Sequence, residues 1–341
     1  MTTIRLSHRI FQFWGAALCL PLLGIGPAGG ALAQAVKPVN SSVLKKVPVV
    51  PVLNRPLKGL VDLHTHPMSY LGFGGHLIHG AVDVGAPMPP GTYNCNRTEV
   101  TATSMAMALG NDNSTHGGWG VDNTCGNTQR SMVLDILAND ASKGEHAEWG
   151  GDKRGYPDFA HWPRSSDVIH QQMWVDWVRK AHEGGLNVMV ALAVNNATLA
   201  ALLDGNRPYD DRSAAIKQVD ELKRFVGRHG DFMEVAYSPQ DMRRIVGGGK
   251  LAVVIGLELD DFGNFSDLPP ASLTAERIER EVDFWYQRGV RYISPAHLVD
   301  NRLGGSAAYE PIMNVANRFQ TGQYWNLECR SGVGWRYAGD G

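Results

Sequence analysis

The feature that most constrains this chain is a series of short apolar runs, alternating with amphipathic stretches and closing in histidines or acids. Leu60-Val61-Asp62-Leu63 leads into His64-Thr65-His66-Pro67, Leu251 to Leu257 into Glu258, and Val290 to Ala296 into His297, while Asn187 to Val194 is a further run of the same kind. Such runs fit strands, and the one before Glu258 fits a strand buried on both faces. Helical periodicity is expected between them, over residues 165–182, 197–203, 213–228, 239–246 and 274–288. Strands alternating with helices, with chemistry at the strand C-termini, predict an α/β fold of the (β/α)8 TIM-barrel type. A complete barrel has eight strands. Four are counted here, and residues 305–341 read as turn-rich without a terminal helix, so the first half of a barrel is expected with its C-terminal half missing.

Composition narrows the class. With 43% hydrophobic and 19% charged residues the chain is globular, and its net charge of -2 provides no field for a polyanion, which argues against nucleic acid as a partner. Residues 1–33 read as a signal peptide: Arg5, His8 and Arg9 precede an apolar run from Phe11 to Gly26, and Ala31-Leu32-Ala33 has the small-x-small form of a cleavage site. That run is short and contains Pro21, so it is not expected to be a stable membrane anchor. The expected product is exported, periplasmic or secreted, where thiols oxidise. Cys95 and Cys125 are the expected disulfide, closing a loop of about 30 residues that contributes on the order of 3 to 4 kcal/mol in the chain-entropy account. Cys329 is left over.

A Pro-rich lead-in over residues 34–58 precedes the expected barrel domain, 59–341. Within that domain, residues 68–164 are rich in Gly, Asn, Asp and His with poor periodicity, and read as a long loop-rich insertion after the first strand.

His64-x-His66 is the strongest chemical signal. Residues i and i+2 of a strand point the same way, so both imidazoles can grip one divalent cation, with Asp62 preceding them on that face. Imidazole favours zinc over harder cations. Glu258, after a nearly continuous apolar run, is costly unless it meets a cation or donor, and so is the third candidate metal ligand, with Asp260 and Asp261 as neighbouring competitors. His297 could bind metal, polarise a substrate carbonyl or hold an oxyanion. No role as ligand is assigned to the other histidines of residues 76–229. The sequence contains no serine elbow, phosphate-binding loop or Cys-x-x-Cys pair.

At these residues the chain resembles the membrane (renal) dipeptidase family of the metal-dependent amidohydrolase superfamily. The resemblance rests on Arg179-Lys180-Ala181-His182-Glu183-Gly184-Gly185, on Val253-Val254-Ile255-Gly256-Leu257-Glu258, and on Arg288 through Ser294-Pro295-Ala296-His297-Leu298, in that order and spacing. It implies a (β/α)8 barrel carrying two zinc ions and a hydrolase of dipeptides and related amide bonds that uses metal-activated water, exported if residues 1–33 act as the signal peptide they resemble. Glu258 falls where the family has its metal-bridging glutamate, His64 where it has the first-strand histidine ligand, and His297 where a histidine contacts substrate. His66 departs from the family, which has Asp there; His-x-His is the form of the wider amidohydrolase group. The family's later histidine ligands and its aspartate base find no match after His297, since residues 298–341 contain no histidine. No residue is therefore assigned as the catalytic acid or base. The partners implied are a small-molecule or dipeptide substrate and, as an option, a second copy of the chain in a homo-oligomer. Two other readings stand beside the hydrolase: a truncated non-catalytic product or binding module, and a phosphoesterase using the His-x-His site.

Overall fold

Five parallel strands form the sheet on which the rest is built. The computed structural model describes residues 57–75, 78, 80–89, 99–109, 171–204, 210–306 and 311–325, all within the compact unit Leu53–Trp325. The signal peptide, most of the lead-in, Cys95, Cys125 and Cys329 lie outside the described residues.

In chain order the elements are β1 (Leu60–Thr65), β2 (Pro87–Met88), β3 (Val100–Thr101), α1 (Met105–Leu109), α2 (Val175–Glu183), β4 (Leu186–Asn195), α3 (Ala197–Asp204) and α4 (Asp211–Arg228). They continue with β5 (Met233–Val235), α5 (Pro239–Gly247), β6 (Leu251–Leu259), α6 (Ala275–Gln287), β7 (Val290–Ser294) and α7 (Pro311–Thr321). The sheet order is β1-β4-β6, after which β5 and β7 share the far edge of β6. β5 lies beside Leu251 to Val253 and β7 beside Ile255 to Glu258. Among the described residues the path does not close: β1 pairs with β4 alone and β7 with β6 alone.

The pattern of β6 explains its central place. Val253, Ile255, Leu257 and Leu259 are fully buried in the main core with Val219, Leu222 and Phe225 of α4 and Trp285 of α6. On the other face Ala252 packs with Val188, Ala236 and Ile245 beneath α5. Helix starts are locally encoded: the Asp210, Ser238 and Thr274 side chains each accept the N–H three residues on. Gly185 and Gly289, at φ 110° and 93°, then make the left-handed turns from α2 into β4 and from α6 into β7.

Several expectations are corrected. The sheet has five strands rather than four, because Met233–Val235 pairs with β6. Of the helix expected over residues 165–182, residues 165–170 lie outside the described residues, 171–174 are not helical, and α2 begins at Val175; the Trp174 indole N–H bonds Asp176. Residues 305–341, read as turn-rich, contain α7. The described parts of the span read as a loop-rich insertion include the antiparallel β2/β3 pair and α1, and Tyr70, Val82, Met88 and Leu109 are buried in the main core. A buried ion network secures it, with Arg228 gripping Asp83 through two nitrogens (2.7 and 2.8 Å), and also Glu221 (2.7 Å), while His229 meets Asp83 at 2.7 Å.

Candidate metal centre

β1 and β6 are separated by β4, so their backbones lie about 10 Å apart. A glutamate from one side and two imidazoles from the other close that gap above the β4 end. His64 Nε2 and His66 Nε2 each lie 3.0 Å from the same oxygen, Glu258 Oε2. The three ligand atoms all fall within 4.8 Å of one another. Two ligands at 2.0 to 2.1 Å from a tetrahedral zinc sit about 3.3 Å apart, so the spacing suits one ion.

Donor chemistry supports the same fit. His66 Nδ1 lies 3.3 Å from the Leu192 carbonyl, an acceptor that places the ring proton on Nδ1 and leaves the Nε2 lone pair facing a carboxylate oxygen. Two lone pairs facing each other repel unless a cation or proton lies between them. Burial pushes the Glu258 carboxyl up, but with a proton in that gap the hydrogen bond from His66 Nε2 and the fields of His297, His66 and His64 outweigh it, bringing it down to about 2. The carboxylate is thus charged, 8% exposed and bordered by imidazoles. Such an environment suits a metal ligand.

Asp62 does not join the group. Its Oδ1 accepts the N–H of His64 at 3.0 Å, and the β1/β4 register shifts between Asp62 and Thr65, so strict alternation fails there. Thr65 anchors the bend by donating to the Val190 carbonyl at 2.9 Å.

His297 approaches the other Glu258 oxygen, its Nε2 lying 3.6 Å from Oε1, beyond hydrogen-bond range. Its Nδ1 is buried with no hydrogen-bond partner among the described residues. A buried lone pair is tolerated more readily than a buried unmatched N–H, which places the proton on Nε2, the edge facing the centre. Burial, foremost, lowers the His297 pKa, with the His66 and His64 fields adding to it against Glu258 and Asp260.

Glu258 lies inside β6 rather than after it, and Asp260 and Asp261 are buried rather than exposed loop acids. Asp261 accepts the N–H groups of Phe265 and Ser266, both at 2.7 Å. Asp211 accepts from Asn195 Nδ2 and the Asp261 N–H, also at 2.7 Å, and burial, helped by the Asp260 and Asp261 charges, raises it to about 7 despite those bonds. Asn196 and Asp211 were missed by sequence reasoning, and Asp260 was weighed only as a competitor of Glu258. The only sequence signal was the unbroken acidic run after Leu259.

Elsewhere, His182 bonds the carbonyls of Leu186 (2.8 Å) and Gly249 (3.0 Å), a structural role. Gly256 leaves room for its neighbours in register: a Cβ there would lie 2.5 Å from Leu192 Cδ2 and 3.2 Å from Tyr292 Cβ. No helix among the described residues is long and apolar enough to cross a membrane.

With this geometry in view, the family model of membrane dipeptidase (peptidase family M19) matches residues 164–321. The matched span contains Glu258 and His297 and begins after His64 and His66. No curated protein matches the chain.

Proposed function

From the membrane dipeptidase match across β4, β6 and β7, we propose that this chain is an exported, zinc-dependent hydrolase of dipeptides or closely related amides, its sheet an arc of a (β/α)8 barrel. The observation that carries the reading is the convergence of His64, His66 and Glu258: residues outside and inside the matched span meet at one point. His64 and His66 would hold zinc through Nε2 and Glu258 through Oε2. Bound zinc supplies Lewis acidity toward an amide carbonyl and toward water. Leu192 fixes the His66 ring through Nδ1, so that Nε2 needs no reorientation. His297 presents Nε2–H from the β7 end, where it can donate to a substrate carbonyl oxygen and orient the scissile bond. The three residues account for one ion, and the second zinc of the family pair would need ligands beyond them. The apolar start of the chain supports export, with cleavage after Ala33.

Release of free amino acid from dipeptides, abolished by a chelator and restored by zinc, is the expected result. Turnover of phosphodiesters without dipeptides would replace this reading by the phosphoesterase one. Absence of bound metal and of any turnover would leave a binding module.

A further inference from the structure

The matched family's chemistry does not explain why a fully buried carboxylate, Asp260, stands two residues beyond Glu258. Its contacts do. Oδ1 accepts the backbone N–H of Leu298 at 2.7 Å and that of Val299 at 2.8 Å, the two amides directly after His297. Oδ2 accepts Asn196 Nδ2 at 2.7 Å, just past the end of β4, and the Asp260 carbonyl accepts Asn301 Nδ2 at 2.7 Å. α7 backs the same loop. Asn196 Nδ2 also reaches Gln320 Oε1 at 3.3 Å, the Asp300 N–H bonds Asn317 Oδ1 at 2.7 Å, and Val299 is buried with Met313, Ala316 and Trp325.

We infer that Asp260 is a positioning residue: it fixes His297 against the metal centre by clamping the two amides that follow it and tying them to Asn196. The assignment rests on the hydrolase reading, in which His297 orients substrate. The His297 ring has no bond of its own on Nδ1, so its place depends on how the loop that carries it is held. An Asn at this position has one acceptor oxygen for the two amides, and its NH2 would face the Asn196 NH2, donor against donor. The reciprocal swap, Asn196→Asp with Asp260→Asn, restores a donor facing an acceptor.

The test is made on the full chain loaded with zinc, using D260N, H297A, their double variant and the N196D/D260N pair. Imidazole nitrogen signals are followed by NMR, with that of His297 identified by its loss in H297A. D260N is expected to move the His297 signal while zinc content stays unchanged, and N196D/D260N to return it. In dipeptide hydrolysis D260N is expected to lower kcat/KM roughly tenfold or more, as outer-sphere partners of a metal site do, and to add no further loss in the H297A background. An unmoved His297 signal, or losses that multiply in the double variant, would overturn the inference. Should no dipeptide be cleaved, the ring signals still decide the role of Asp260, and only the hydrolase reading falls. If D260N does not fold, N196A removes one of the three donors and is judged by the same signals.

Discussion

β6 and β1 each bring a metal-ligand candidate to the same end of the sheet, yet they are opposites in packing. β6 has strands on both sides and helices over its face, and its side chains are almost all buried. Among the described residues β1 has one neighbour, and Leu60, Val61 and Leu63 are 64%, 55% and 67% exposed. The candidate ligands follow suit: the Glu258 side chain is 10% exposed and that of His64 61%. The centre thus joins a rigid strand to a weakly held one. A bound cation would tie β1 to the core, and binding to the native state alone stabilises it by mass action.

The largest expected effect comes from the rigid side. Glu258→Ala removes the oxygen shared by both histidines and is expected to weaken zinc binding at least about a hundredfold, by metal titration. If affinity survives, the ions are held elsewhere. On the same strand, Leu257→Ala is expected to cost about 2 to 5 kcal/mol in denaturant unfolding, since Leu257 is fully buried. His64→Ala is expected to lower metal occupancy more than His297→Ala, and equal losses would undo the division between ligand and substrate-orienting residue.

Asp211 gives a pH test of the interior behind β6. Its folded pKa, about 7, stands above its ordinary 3.8, so between these values the native state holds a proton that the unfolded state has released. The contribution of this group to stability therefore falls as pH rises through that window. Relative to wild type, the melting temperature of Asp211→Asn is expected to improve from pH 4 to pH 7, and a constant offset would show that Asp211 does not titrate there. The smallest effect belongs to β1: Leu63→Ser is expected to change stability by no more than about 0.5 kcal/mol. A loss comparable to that of Leu257→Ala would mean that something covers this edge.

Four of the five strands of the sheet were legible along the chain because apolar runs such as those ending in His64, Glu258 and His297 are local patterns; the caps at Asp210, Ser238 and Thr274 are local too, but the helices they start were read from periodicity without them. β5 was not, since Met233–Val235 is too short to show a period and is defined by pairing with β6. α7 starts with Pro311 at its first helical position, a readable signal obscured by Gly304-Gly305 and Gly322 around it. The run Glu258-Leu259-Asp260-Asp261 revealed the acids but not their division of labour. For Glu258 and Asp260 that depends on partners remote in sequence, His64 and His66 for the first, Asn196 and the amides of residues 298 and 299 for the second, whereas Asp261 caps the nearby turn at Phe265.

The most direct test of the metal centre is elemental analysis of the full chain beside its His64→Ala and Glu258→Ala variants, with a thermal melt of each with and without chelator. The account predicts stoichiometric zinc in the wild type, depletion in both variants, and a chelator-induced drop in melting temperature seen only in the wild type. Equal metal content in all three proteins, or none in the wild type after zinc loading, would contradict it.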